Sequence, residues 1–427
     1  MMTRLSRLFI VRALLVPTAV IFLYRGLVPA FTNIDTDFPN YYTAGKVAAT
    51  GKDLVRLYDD AWFQEQIYAS GIDRLGKFSP FPPTTAVLFI PLSYLSPSNA
   101  LRVVTTFNMA FLVAVIVLLA RLFRTSTEEA ALFTLLSGIG LINCFRFGQL
   151  YVALSLCVVL GYYFLRHDRP VLAGISFGIL TPVKYFPIVF LLYFVFKREW
   201  RLIISAAATM GVVCLVSVAM LGWEVHSTFL SHVAGQHLQS NLTMQDPFSS
   251  TFQTFDSLLR RLFVYDPELN PHPLFVSSTS YFLLKVVIIL SLVTVTVGVI
   301  IRGRLMGNGR EVDTSLGLLG ILGLLLSPAG ATYHFLLLWL PVALLLKLFR
   351  VSGQLNLFWV VLILYAAIGF IPYSFFRQFD GHGLLTLAAY PRLIMLSLLF
   401  AVSLWGVGKL ERPLHLSSRT LSLSVRK

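Results

Sequence analysis

Charge is scarce in this sequence. Only 13% of its 427 residues are Asp, Glu, Lys or Arg, roughly half the share of an ordinary soluble domain, and that argues against a water-soluble globule. Acidic residues are the scarcer kind, 20 against 34 Lys and Arg. The three cysteines, Cys144, Cys157 and Cys214, lie in or beside apolar segments with no close metal-type spacing. They read as small packing residues and are silent on redox compartment. No phosphate-cradling Walker motif, dinucleotide fingerprint or haem motif occurs, which sets aside ATP-driven transport by this chain alone. His226, His232 and His237 match no tight zinc pattern, so neither a metal nor a cofactor is expected. No internal repeat is visible, in contrast to the duplicated halves of many secondary transporters.

What fills the sequence is apolar. Hydrophobic residues make up 56% of it and the mean hydropathy is +0.76. Apolar runs recur along the whole length, many of them long enough to cross a hydrocarbon core of about 30 Å. A spanning segment must satisfy its own backbone hydrogen bonds, so helices are expected, and unbroken apolar runs exclude the alternating pattern of a β-barrel. The expected class is therefore all-α: a single integral-membrane domain over residues 1–427, a polytopic bundle of about 12 transmembrane or re-entrant helices. The predicted spans are 8–30, 99–122, 130–143, 150–165, 171–183, 185–196, 202–222, 279–301, 314–327, 333–349, 356–375 and 390–408. The pair 171–183 and 185–196 reads as a hairpin of two short helices around Pro182-Val183-Lys184-Tyr185, of the kind tolerated where it lines a cavity. Two long loops, 31–98 and 223–278, fall on one face. Within the first, Thr84–Leu95 is apolar but short and contains Pro91, so it is expected to lie in the interface or re-enter.

The net charge of +14 invites a nucleic-acid reading, which its distribution opposes. With the N-terminal Arg4, Arg7 and Arg12 in the cytoplasm and sides alternating from there, cytoplasmic ends collect 20 basic and 7 acidic residues, the other side 14 and 13. This is the positive-inside bias: it predicts cytoplasmic N- and C-termini and no nucleic-acid partner. Residues 8–30 begin like a signal peptide, but the spans that follow favour an uncleaved first helix. A bacterial plasma (inner) membrane is the default setting. The Asn241-Leu242-Thr243 sequon would matter only where a host glycosylates that face.

Chemistry is concentrated on the loop side. Asn33-Ile34-Asp35-Thr36-Asp37-Phe38-Pro39-Asn40-Tyr41-Tyr42 puts two carboxylates at the membrane boundary ahead of aromatics. A fixed, partly desolvated carboxylate there can take a proton from an attacking hydroxyl; the alternative is a loop turn with solvated acids. Lys184 sits between two short apolar helices, where it either holds a lipid phosphate or snorkels to the interface. Arg146, with Phe147-Gly148-Gln149, could join a phosphate site. His334 opens a span on the same face and either assists proton or phosphate chemistry or is simply hydrogen-bonded.

In order along the chain, Asp37-Phe38, Tyr41-Tyr42, Ala44-Gly45, Leu57-Tyr58-Asp59, Phe81-Pro82-Pro83, Pro91-Leu92, Gly148-Gln149, Ala173-Gly174, Lys184 with Pro187, Lys197-Arg198-Glu199-Trp200-Arg201, and Ser327-Pro328 with His334 resemble glycosyltransferase family 87. This is a family of GT-C membrane enzymes that includes mannosyltransferases using polyprenyl-phosphate mannose. The resemblance implies Asp37 as general base with Asp35 as understudy and His334 near the reacting groups. Lys184, Arg146 and Gln149 would hold the lipid phosphate, and Tyr41, Tyr42, Phe81, Pro82 and Pro83 would line the substrate. It implies an inverting transfer of a sugar, mannose by analogy, from a polyprenyl-phosphate donor to a lipid or glycan acceptor at the outer face of the bilayer. Two departures stand out: Phe81 where the family often has Tyr, and Ala329-Gly330-Ala331-Thr332-Tyr333-His334 where it often has Trp and paired histidines. A lipid-linked sugar flippase or transporter, or a surface-polysaccharide polymerase or ligase, shares the general build; the large outer loops and the Asp35/Asp37 cluster favour the transferase.

Overall fold

The computed structural model describes residues 4–239, 246–306 and 310–410. The Asn241-Leu242-Thr243 sequon and the tail bases Arg412, Arg419, Arg426 and Lys427 lie outside the described residues. Among the described residues the architecture is all helical, with one isolated bridge between Asp266 and Asn270 and no strand. This is an integral membrane fold. Among the described residues, six helices are long and apolar enough to cross a bilayer: Ser6–Thr32, Pro97–Phe123, Trp200–Leu221, Ser278–Gly303, Thr332–Val351 and Pro391–Leu410.

Two further expected spans are broken. Thr127–Leu135 and Ile139–Arg146 meet at 79°, and Leu355–Phe370 and Tyr373–Phe379 at 75°. Counting each bent pair once gives up to eight spans, fewer than the twelve expected from apolar runs. The difference lies in helices that are apolar but short: Tyr151–Arg166, Pro170–Gly178, Ile188–Lys197 and Glu311–Leu325 all fall below the ~20 residues of an easy crossing. The first break has a steric cause. Gly138 has φ +52° and a Cβ there would stand 2.4 Å from the Gly369 carbonyl oxygen, while a Cβ on Gly369 would stand 2.1 Å from that of Leu136. Only glycine permits both the left-handed turn and this approach of two backbones.

The hairpin around Lys184 is present, with shorter arms than expected: Pro170–Gly178, a turn over 179–187, then Ile188–Lys197. Its turn is held by the Thr181 and Lys184 amides donating to the carbonyls of Gly178 (3.2 Å) and Leu180 (2.8 Å). Thr84–Leu95 folds as the Pro83–Phe89 helix followed by a single 3₁₀ turn, Pro91–Tyr94.

The bundle has two chemically different ends. At one end ion pairs tie helix termini together: Arg12 to Glu128 at 2.9 Å, Lys347 to Asp313 at 2.9 Å and Lys197 to Glu311 at 3.6 Å. At the other end the two long loops pack on each other, with Tyr58 and Phe229 rings 5.9 Å apart. Here a second apolar core, separate from the main one, gathers Phe38, Phe63 and Phe78, each fully buried, with Leu221 at the end of the Trp200–Leu221 helix and Val225 of the second loop. Each such phenylalanine contributes about 1.5–3 kcal/mol, so the first loop is an anchored platform rather than a loose connection.

Candidate active site

Asp37 immediately precedes the Phe38–Thr50 helix, at the position where an aspartate normally caps by accepting from the first-turn amides. Its side chain makes no such bond. It points instead to Gln149, whose Nε2 donates to Asp37 Oδ2 at 2.6 Å. Gln149 is fully buried and its orientation is set by the Tyr41 hydroxyl, which donates to Oε1 at 2.6 Å. Asn108 Nδ2 donates to the Gln149 carbonyl at 3.1 Å. The chain reaches this position because Gly148 adopts φ +63° and ends the Ile139–Arg146 helix, a glycine-dependent stop. A Cβ there would sit 2.9 Å from Phe38 Cβ, so the same glycine lets the Gly148-Gln149 turn and the start of the Phe38–Thr50 helix touch.

Burial pushes the Asp37 carboxyl above the usual carboxylate range; the Gln149 hydrogen bond, the charge of Lys184 and a hydrogen bond from Tyr333 offset part of that rise, and Asp35 adds to it. Every donor on Asp37 is neutral, so the carboxylate is oriented without being neutralised. That is the condition a general base needs.

Asp37 faces a cavity of about 500 Å³ shared with Asn40, Lys77, Phe81, Pro82, Tyr151, Lys184, Tyr185, His237, Tyr333 and His334. The Lys184 ammonium lies over the rings of Phe81 (4.2 Å), Tyr151 (5.3 Å) and Tyr41 (5.7 Å). Cation–π contact supports a charge in a dry site while leaving its donors available. The turn that carries Lys184 is tied to the first loop by the Thr84 hydroxyl, which donates to the Pro182 carbonyl at 2.5 Å. The His334 ring lies 4.6 Å from that of Tyr151. Its segment is positioned by Asn143 Nδ2, which donates to Thr332 Oγ1 at 2.8 Å, and by the contact of Gly140 with the Thr332 carbonyl. On the far wall His237 Nε2 hydrogen-bonds the Tyr185 hydroxyl at 2.7 Å. Burial, with Lys184 and Lys77 nearby, holds the His237 imidazole down at about 4, so it is neutral at pH 7.

The sequence-predicted residues divide into three groups. Asp37, Phe81, Pro82, Lys184 and His334 line the cavity together. Tyr41 and Gln149 stand behind it and orient Asp37. The others turn away: Arg146 pairs with Asp35 at 2.8 Å outside the cavity lining, Tyr42 donates its hydroxyl to the Leu95 carbonyl at 2.8 Å, and Pro83 is buried at the start of the Pro83–Phe89 helix. Arg146 is thus the counter-ion of Asp35 rather than a neighbour of Lys184. Sequence reasoning passed over Tyr151, Tyr185, Lys77 and, as a pocket residue, His237. Tyr151 carried a signal, three residues after Gly148, the glycine at the helix stop; Lys77 and His237 carried none, because only the packing of one long loop on the other brings them in.

The helical membrane fold and a cavity that pairs a carboxylate with a lysine define a membrane-embedded protein with an enzyme-like site. The chain belongs to glycosyltransferase family 87, whose profile matches residues 80–328. It is similar to a polyprenol-phosphate-mannose-dependent alpha-(1-2)-phosphatidylinositol mannoside mannosyltransferase of Mycobacterium tuberculosis, 28% identical over 208 residues, 42% of this chain and 48% of that protein. A protein of the same description from Mycolicibacterium smegmatis is 30% identical over 195 residues, 40% of this chain and 44% of the relative. The chain thus spans about half the length of the curated relatives it matches. No solved structure matches it. The family match contains Phe81, Arg146, Gln149 and Lys184 and does not reach Asp35, Asp37 or His334.

Proposed function

We propose that this protein transfers a sugar, mannose by analogy with its relatives, from a polyprenyl-phosphate donor to a lipid or glycan acceptor at the loop-bearing face of the membrane. The observation that carries the reading is the juxtaposition in one cavity of a carboxylate hydrogen-bonded only by neutral donors, Asp37, with a lysine held over aromatic rings, Lys184. The acceptor hydroxyl loses its proton to Asp37 as its oxygen bonds the anomeric carbon. The bond from that carbon to the phosphate oxygen breaks on the opposite side, inverting the centre, and polyprenyl phosphate leaves with the electron pair. Lys184 stabilises the charge growing on the leaving phosphate, an interaction strongest in the transition state. The isoprenoid chain lies among the apolar helices. A loop-side cavity suits a lipid-linked donor, since nucleotide sugars are cytoplasmic and the excess of basic residues at the other helix ends supports a cytoplasmic position for that side. His334, beside Tyr151, offers a hydrogen-bond partner for a sugar hydroxyl or phosphate oxygen.

The test is sugar transfer by purified, reconstituted protein given radiolabelled polyprenyl-phosphate mannose and a lipid extract, with flipping of the same labelled lipid measured in parallel. Label appearing in a new product is the expected result. Label that crosses the bilayer unchanged, with no new product, would make the protein a transporter and overturn the reading.

A further inference from the structure

A second cavity, of about 680 Å³, lies at the opposite end of the bundle, bounded by the first helix, the turn after Phe123, and the Trp339–Val351 and Leu355–Phe370 helices. It shares no residue with the cavity around Asp37. Its wall is apolar, including Ile10, Leu14, Phe358 and Trp359, and Ile10, Leu14 and Trp359 are 46%, 50% and 55% exposed. Its rim holds Arg7, Arg124, Lys347 and Arg350, with Glu129 the one carboxylate among its lining residues. Two of these cations are engaged: Arg7 by Glu129, and Lys347 by Asp313 at 2.9 Å. Arg124 and Arg350 have no ion pair among the described residues. Arg124 is fixed in place by the helix stop it forms, φ +50° with the Thr125 amide donating to the Ala120 carbonyl at 3.1 Å. Arg350 projects from the last turn of its helix.

An apolar groove inside a bilayer is filled by hydrocarbon, because water there has no polar partners on the wall. Two guanidiniums with no ion pair among the described residues, at its polar end, select a phosphate, which each can bind through paired N–H donors. We infer that this groove is a binding site for an anionic glycerophospholipid, its acyl chain along Ile10, Leu14, Phe358 and Trp359 and its phosphate between Arg124 and Arg350. A zwitterionic lipid brings its own ammonium to a rim that already carries four cations, so the charge balance favours a headgroup without one.

The test uses the full chain in phosphatidylcholine nanodiscs containing a minor fraction of lipid brominated on its acyl chains, which quenches nearby tryptophan. Subtracting the signal of a Trp359→Phe variant isolates the Trp359 contribution. Brominated phosphatidylglycerol is expected to quench it about tenfold more effectively than brominated phosphatidylcholine at equal mole fraction, given the attraction of an anionic headgroup to each nearby arginine. The Arg124→Gln/Arg350→Gln double variant should bring the two lipids level. Arg121→Gln, which removes a cation outside the groove lining, should leave the preference intact. Equal quenching by both lipids in the native sequence would overturn the proposal, as would an equal loss in Arg121→Gln, which would report general surface attraction. Protection of Trp359 from both lipids, with a dimer by light scattering, would assign the face to a second copy instead.

Discussion

Asp256 and Asp37 both sit in the long connections, and the protein treats them oppositely. Asp256 accepts from Arg260 Nε at 2.9 Å, from the Tyr281 hydroxyl at 2.6 Å and from Lys285. Burial pushes its carboxyl up, but Lys285, Tyr281 and Arg260 outweigh that and leave it below the usual range. Asp37 is also desolvated yet receives only neutral hydrogen bonds, and its carboxyl stays above that range. A carboxylate whose lone pairs are taken by two cations is locked into structure, because giving up its charge strands both of them. A carboxylate oriented by an amide and a tyrosine keeps its basicity. The contrast separates a clasp from a reactive group, although both are an aspartate in a polar loop.

Breaking the two sites should therefore produce opposite phenotypes. Asp37→Asn is expected to lower the transfer rate by about 10³-fold while the melting temperature stays level or rises, since a buried, unneutralised charge is removed; turnover and thermal unfolding in detergent measure both. Asp256→Asn should do the reverse, costing about 3 kcal/mol of stability by leaving Arg260 and Lys285 partly buried without their counter-ion, with activity per folded molecule unchanged. Because the folded Asp256 carboxyl is depressed, its contribution is present at neutral pH and is lost as pH falls through the folded value. The stability gap between native and variant should close in acid, as denaturation at several pH values would reveal. Lys184→Met is expected to reduce transfer about 10²-fold through loss of charge stabilisation at the leaving phosphate, seen in kcat more than in KM. The smallest effect belongs to Gln149→Ala, about tenfold at neutral pH. Activity requires ionised Asp37, so its acid limb already lies above the ordinary carboxylate range. Removing the hydrogen bond that lowers the Asp37 carboxyl should move that limb to higher pH still, which a rate–pH profile detects.

Much of this organisation was legible in the sequence, and what was not has a physical reason. The long helices announce themselves because an apolar run of spanning length has few other homes, and the Lys184 hairpin is legible from basic clusters, Arg166/Arg169 and Lys197/Arg198/Arg201, at the outer ends of two short apolar arms. The Asp35/Asp37 pair and Lys184 stand out because polar groups at membrane boundaries are costly and therefore informative; the choice of Asp37 over Asp35 comes from the family resemblance. The breaks at Gly138 and Gly369 were hidden, since hydropathy does not register two backbones in contact. Arg146 was placed with Lys184 because both follow short apolar runs on one face, but sidedness fixes height across the membrane and not azimuth, and Asp35 claims the guanidinium. His237 and Lys77 reach the cavity only through loop-on-loop packing, which no local pattern encodes.

Asp35 and Asp37, two residues apart, offer the most direct test of the central claim that an oriented but unneutralised carboxylate is the base. Transfer by Asp35→Asn and Asp37→Asn would be measured side by side in the same reconstituted assay, with folding of each verified. The account predicts that Asp37→Asn is nearly silent while Asp35→Asn, which loses only its ion pair with Arg146, keeps most of the native rate. A silent Asp35→Asn beside an active Asp37→Asn would contradict it.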